Sequence, residues 1–129
     1  MTKDYTVSIE LSSRELTASD RIKAKHVMDA IKLDEAVGDN ESLVLNVTGF
    51  VVLNIHNENA SDNKDYQRYV IETDSGDRYY TGSKNFWNTF SDIYEELKAD
   101  GGSEAFSIKI FKRPSTNYKG KSFISCALV

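Results

Sequence analysis

The stretch LVLNVTGFVVLNIH, residues 43 to 56, decides how the rest of the chain can be arranged. It reads as one long apolar strand in which Leu45, Val47, Val51, Leu53 and Ile55 share a face, leaving Phe50 and His56 on the opposite one. Gly49 interrupts it, and an internal strand glycine marks a bulge or a sharp coil. A strand curved in this way suits a small barrel better than a flat sheet.

Downstream, NENASDNKD (residues 57 to 65) is a polar loop, and a second strand spans Gln67 to Thr73. Asp74-Ser75-Gly76-Asp77 places a glycine where a tight hairpin needs positive φ, and RYYT forms the return strand. Ser83 caps a helix in which Phe86, Phe90, Ile93 and Leu97 recur at offsets of four, three and four. Asp100-Gly101-Gly102 ends that helix. Glu104 to Lys112 alternates as a strand, Pro114 to Gly120 turns, and Lys121 to Leu128 alternates again. The order strand, strand, strand, helix, strand, strand predicts a mainly β chain with helices. More narrowly, it predicts an OB-fold over residues 43–129, a five-stranded Greek-key barrel with its helix between strands three and four. An open α+β sheet is the rival for the same order.

Residues 1–42 are then an N-terminal extension. Tyr5, Val7, Ile9 and Leu11 alternate with polar residues as a half-buried strand, and Ser19-Asp20 can cap a helix running through Ile22, Lys25, Val27, Met28 and Ile31 to a stop at Gly38. A terminal strand with a free edge and an apolar face invites pairing. It can fold back onto its own barrel or dock on a neighbouring protomer, and its strict alternation and terminal position favour the neighbour. Self-association through this arm is the expectation.

Sixteen basic and twenty acidic residues give a net charge of −4, which on its face argues against a nucleic-acid partner. The charge is unevenly placed, however. Ala105 to Val129 carries Lys109, Lys112, Arg113, Lys119 and Lys121 and no acid, so +5 there leaves −9 on the rest of the −4 chain. One basic surface can therefore coexist with an acidic remainder. No run approaches the ~18 apolar residues of a membrane span and the start has no signal-peptide core, so no membrane partner and a cytoplasmic location are expected. The single cysteine, Cys126, lies in the alternating run SFISCALV and reads as a core side chain.

Catalytic chemistry has little to draw on. The histidines are His26 and His56, and no Cys-x-x-Cys pair, nucleophile triad or phosphate-cradling glycine loop is present. His56 with Asp62 and Asp65 could be imagined as a metal-dependent nuclease corner, but these acids fall in an Asn- and Ser-rich loop where acids usually face water. A non-enzymatic protein without a cofactor is the reading.

The basic segment is more informative. In FSIKIFKR, Phe106, Ile108 and Ile110 suit a core, which leaves Ser107, Lys109, Phe111 and Arg113 facing solvent. A ring between two cations suits single-stranded nucleic acid, whose phosphates attract the cations and whose bases stack on the ring. The following loop adds Tyr118, Lys119 and Lys121. Phe50 and His56 on the first strand, and Tyr66 and Arg68 on the second, complete the candidate set. Tyr79, Tyr80 and Trp87 read more readily as packing residues. Single-stranded DNA is the expected partner, with RNA as a second candidate. A protein-interaction module with incidental DNA affinity is the alternative from another class.

The segments DNKDYQRYVIETDSGDRYYTGSKNFWNTFSDIYEEL, FKRPSTNYKGKSFISCAL and ELTASDRIKAKHVMDAIKLDEA resemble the small OB-fold single-stranded DNA-binding proteins of bacteriophages and mobile elements of Gram-positive bacteria. The resemblance implies sequence-tolerant binding and protection of single strands during replication, recombination or transfer. The chain departs from bacterial housekeeping single-strand binders, which carry an acidic C-terminal tail that recruits partners, because SCALV ends it inside a predicted strand.

Overall fold

The residue inserted at Thr48–Gly49 changes which face each later residue of the long strand presents. In the computed structural model, which describes residues 5–38, 41–60, 63–102, 104–114 and 122–129, β3 (Ser42–Asn57) pairs antiparallel with β4 (Asp65–Thr73). Val47 lies opposite Thr73 and Gly49 opposite Glu72, so two steps on β3 match one on β4. This is a β-bulge, and it inverts the alternation that follows. Before it, Leu45 and Val47 enter the main core. After it, Phe50 and Val52 enter that core, while Val51, Leu53 and Ile55 turn to a second cluster on the other side of the sheet. The expectation that all five odd positions share a face is thus corrected.

The remaining elements are β1 (Tyr5–Ser12), α1 (Ala18–Lys25), β2 (Ile31–Lys32), α2 (Leu33–Ala36), β5 (Arg78–Thr81), α3 (Lys84–Ala99), β6 (Phe106–Pro114) and β7 (Ser122–Leu128). The chain is mainly β, with a curled half-barrel sheet and few helices. Its strand path is β2-β5-β4-β3-β6-β7, and β1 also pairs with β3. Among the described residues the sheet has seven strands, because two strands of the first 42 residues join it. Among the described residues β7 pairs with β6 alone.

In this single chain β1 pairs antiparallel with Val51–Asn57 of the same chain. The expected single helix up to Gly38 is instead broken. Thr17 caps α1 by accepting from the Asp20 N–H, and the Asp20 carboxylate accepts from the Thr17 N–H, a capping box. The helix stops at His26 (φ −88°, ψ 58°), and a 3₁₀ turn (Val27–Asp29), β2 and α2 follow. Only Ala24 of α1 is buried, too thin an apolar stripe to hold a longer helix on the sheet.

The main core lies between the concave side of the sheet and α3. The Ser83 hydroxyl accepts from the Phe86 N–H, and Phe86, Phe90 and Tyr94 are the buried residues of the helix, with Ile93 partly buried against the same core. Phe50 meets Trp87, Phe90 and Tyr94 edge to face, with ring centroids 5.2, 5.8 and 4.8 Å away. Ile108 and Ile110 of β6 are fully buried, as their spacing predicts. Cys126 is buried too, and burial pushes its thiol up to about 12.

Phe50 is only 4% exposed, so the sequence-based assignment of this ring to base stacking is corrected to a core role. Phe50→Ala should cost about 3–5 kcal/mol of stability in urea unfolding, as buried aromatic truncations do. A variant as stable as the parent would return the ring to the surface.

Candidate nucleic-acid interface

Alternation along β4 sets the outer face of the sheet. Tyr66, Arg68 and Val70 stand opposite Ile55, Leu53 and Val51 of β3, and Tyr80 of β5 stands opposite Val70. One end of this face is covered by the extension, where Ala24 of α1 and Val27 of the 3₁₀ turn pack with Val51, Leu53 and Val70. The other end stays open as a groove of about 570 Å³, lined by Tyr5, Lys32, Tyr66, Arg68 and Tyr80 among others.

Arg68 is held in place within this groove. Its guanidinium carbon sits 4.5 Å from the centre of the Tyr66 ring, a cation–π contact, and Nη1 donates to the Gln67 carbonyl at 3.0 Å. Gly82 makes the room, because a Cβ there would come within 2.6 Å of Nη1. No carboxylate pairs with Arg68 among the described residues. Tyr5, from β1, is 44% exposed, and its hydroxyl pKa is raised by partial burial and then by the neighbouring Tyr66, with Arg68 opposing. Asp34 also lines the groove, accepting from the Thr81 hydroxyl at 2.7 Å.

A second patch lies on β6, where Lys109 and Arg113 are exposed and Phe111 is half-buried. The Arg113 guanidinium carbon is 5.3 Å from the Phe111 ring centre. These are the faces the alternation predicts. Lys109 is registered against Val44 at the start of β3, whereas Tyr66 is registered against Ile55 near its end. The candidate residues therefore form two patches, one at each end of the longest strand.

Two assignments change and three cannot be placed. Phe50 is core. His56 is gripped between carboxylates, with Nδ1 at 2.6 Å from Asp65 and Nε2 at 2.5 Å from Glu58, while Lys64 donates to Glu58 at 3.2 Å. A phosphate at His56 would meet two acids, so this residue is removed from the candidate surface. Tyr118, Lys119 and Lys121 lie outside the described residues, as does Asp62. Among the described residues no group of three or more His, Cys, Asp or Glu is arranged to hold a metal ion. Sequence reasoning did not single out Tyr5 and Lys32; Tyr80, read as packing, does pack against the second cluster while its ring also lines the groove. The alternation of β1 and β5 carried a signal for the tyrosines, but nothing local linked them to Tyr66.

No protein-family model matches the chain, and neither does any curated protein or solved structure.

The histidine clamp gives a pH signature. Asp65 first, then Glu58, raise the His56 pKa above its ordinary 6.5, and His56 and Lys64 lower that of Glu58. The imidazolium's contribution is complete below about pH 6.5 and is lost as pH rises through the higher folded value. The Glu58 contribution is present above its ordinary 4.5 and is lost as pH falls through the lower folded value. An NMR titration should give His56 a midpoint above 6.5, and Asp65→Asn should bring it down more than Glu58→Gln does. A midpoint unmoved by either variant would mean the clamp does not form in solution.

Proposed function

We propose that this protein is a sequence-tolerant single-stranded DNA-binding protein of a phage or mobile element, built on an OB-fold and acting without chemical turnover in replication, recombination or transfer. The path β5-β4-β3-β6-β7, with α3 between β5 and β6, supports the fold part of this reading, because it is the strand order of an OB barrel. The resemblance of the β4–α3 and β6–β7 segments to such binders supports the rest.

The observation that carries the reading is the aromatic groove around Arg68 on the outer face of β4 and β5. The exposed Tyr5 ring and the partly buried Tyr66 and Tyr80 rings offer a π-face to any base and the guanidinium meets phosphate, so affinity needs no base-specific hydrogen bonds. The β6 patch repeats the combination with Lys109, Phe111 and Arg113.

Titration with oligo-dT, followed by tyrosine fluorescence at several salt concentrations, tests the proposal. Lys109→Ala combined with Arg113→Ala should lower the slope of log K against log salt by about 1.4, at ~0.7 for each phosphate left without its cation. Tyr66→Ala and Phe111→Ala should each weaken binding by roughly 1–3 kcal/mol if a base rests on the ring. Absence of binding to oligo-dT at low salt would defeat the reading and favour a protein partner, while tighter binding to oligo-rU would change the ligand to RNA.

A further inference from the structure

The groove is not made by the five strands of the proposed barrel alone. β1 lies along β3 on one side of the outer face, and β2 pairs in parallel with β5 on the other, with Lys32 opposite Tyr80. Between them α1 and the 3₁₀ turn cross the face and bring Val27 to the groove's inner end. The first 42 residues thus border the groove on three sides. They also supply two of its chemically active side chains, the Tyr5 ring and the Lys32 ammonium.

The order of side chains across the sheet is an aromatic ring on β1, a ring and a guanidinium on β4, a ring on β5 and an ammonium on β2. Rings and cations are thus mixed over four of the five strands crossed, and the row runs across the strands rather than along them. A single strand crossing it can set bases against the rings and phosphates against the cations. Among the described residues lining it one is an acid, Asp34, and its carboxylate is engaged by Thr81.

We infer that the N-terminal extension is part of the binding site, with Tyr5 stacking a base and Lys32 meeting a phosphate of a single strand that crosses β1, β3, β4, β5 and β2 in turn. This rests on the single-strand reading above and adds to it a contribution from outside the barrel.

The test uses point variants of the full chain, because removing β1 would uncover Ile55 and Leu53. Tyr5 and Lys32 are both exposed, so Tyr5→Ala and Lys32→Ala should keep the parent's circular dichroism and unfolding midpoint. Tyr5→Ala should weaken oligo-dT binding roughly five- to hundred-fold at one salt concentration. Lys32→Ala should lower the salt slope by about 0.7, while Lys25→Ala, on α1 outside the groove, should leave it unchanged. If the parent binds oligo-dT and Arg68→Ala weakens it while Tyr5→Ala and Lys32→Ala do not, the inference is overturned and the single-strand reading stands. An equal loss in Lys25→Ala would also overturn it, by making the effect one of general charge. If the parent does not bind at all, the single-strand reading itself fails.

Discussion

The extra residue at the Thr48–Gly49 bulge is the constraint on which the rest of the structure depends. A strand of regular alternation has one face for one core. By inserting a residue, β3 gives Leu45, Val47, Phe50 and Val52 to the core under α3 and keeps Val51, Leu53 and Ile55 for the outer side. Both faces of its second half are therefore apolar, and the outer one cannot be left to water. The N-terminal segment covers it with Val7, Ile9, Ala24 and Val27.

The bulge also shows how that cover is anchored. Where the ladder to β4 is disrupted, the Phe50 N–H donates to the Ser13 hydroxyl at 2.9 Å and the Ser13 N–H donates to the Phe50 carbonyl at 3.0 Å. Arg14 reaches from the next position to Glu72 with two nitrogens, at 3.0 and 3.3 Å, and to Asp20 at 2.9 Å. The Arg14 bond holds the Asp20 carboxyl down to about 2. Gly49 leaves these side chains room, because a Cβ there would lie 2.6 Å from a Glu72 oxygen and 3.0 Å from the Ser13 hydroxyl and Glu72 would have to shift. Exposed ion pairs contribute little to stability, so these contacts fix register while the apolar cover provides most of the free energy.

Periodicity made much of this legible. The strands from β3 to β7, helix α3, and the two faces of β6 follow from spacings of two and 3.6, and each of those patterns is local. Phe50 was misplaced because a glycine announces a bulge without stating how many residues it inserts, and one residue exchanges the faces of all that follow. His56 was misplaced for a different reason: its partners Asp65 and Glu58 sit across and beside the β3–β4 turn, where hydrogen bonding rather than sequence distance decides the company a side chain keeps. The groove was only half visible. Tyr66 and Arg68 announce themselves on one strand, but Tyr5 and Lys32 reach them through pairings of 31 to 79 and of 7 to 55, which no window of sequence contains.

An acidic chain can present such a groove to a polyanion because charges act over about one Debye length, ~8 Å at physiological salt, so the nearest groups matter more than the total. Three carboxylates on the outer side of the sheet are engaged: Glu72 and Asp20 face Arg14, and Asp34 accepts from Thr81. Arg68, by contrast, is directed to a ring and a backbone carbonyl. Neither contact neutralises its charge, and both restrict its motion, so the guanidinium is presented with part of its ordering entropy already spent in folding. Among the described residues these three acids are engaged and no carboxylate pairs with Arg68, which is the local condition that the proposed anionic partner requires, whatever the sign of the whole.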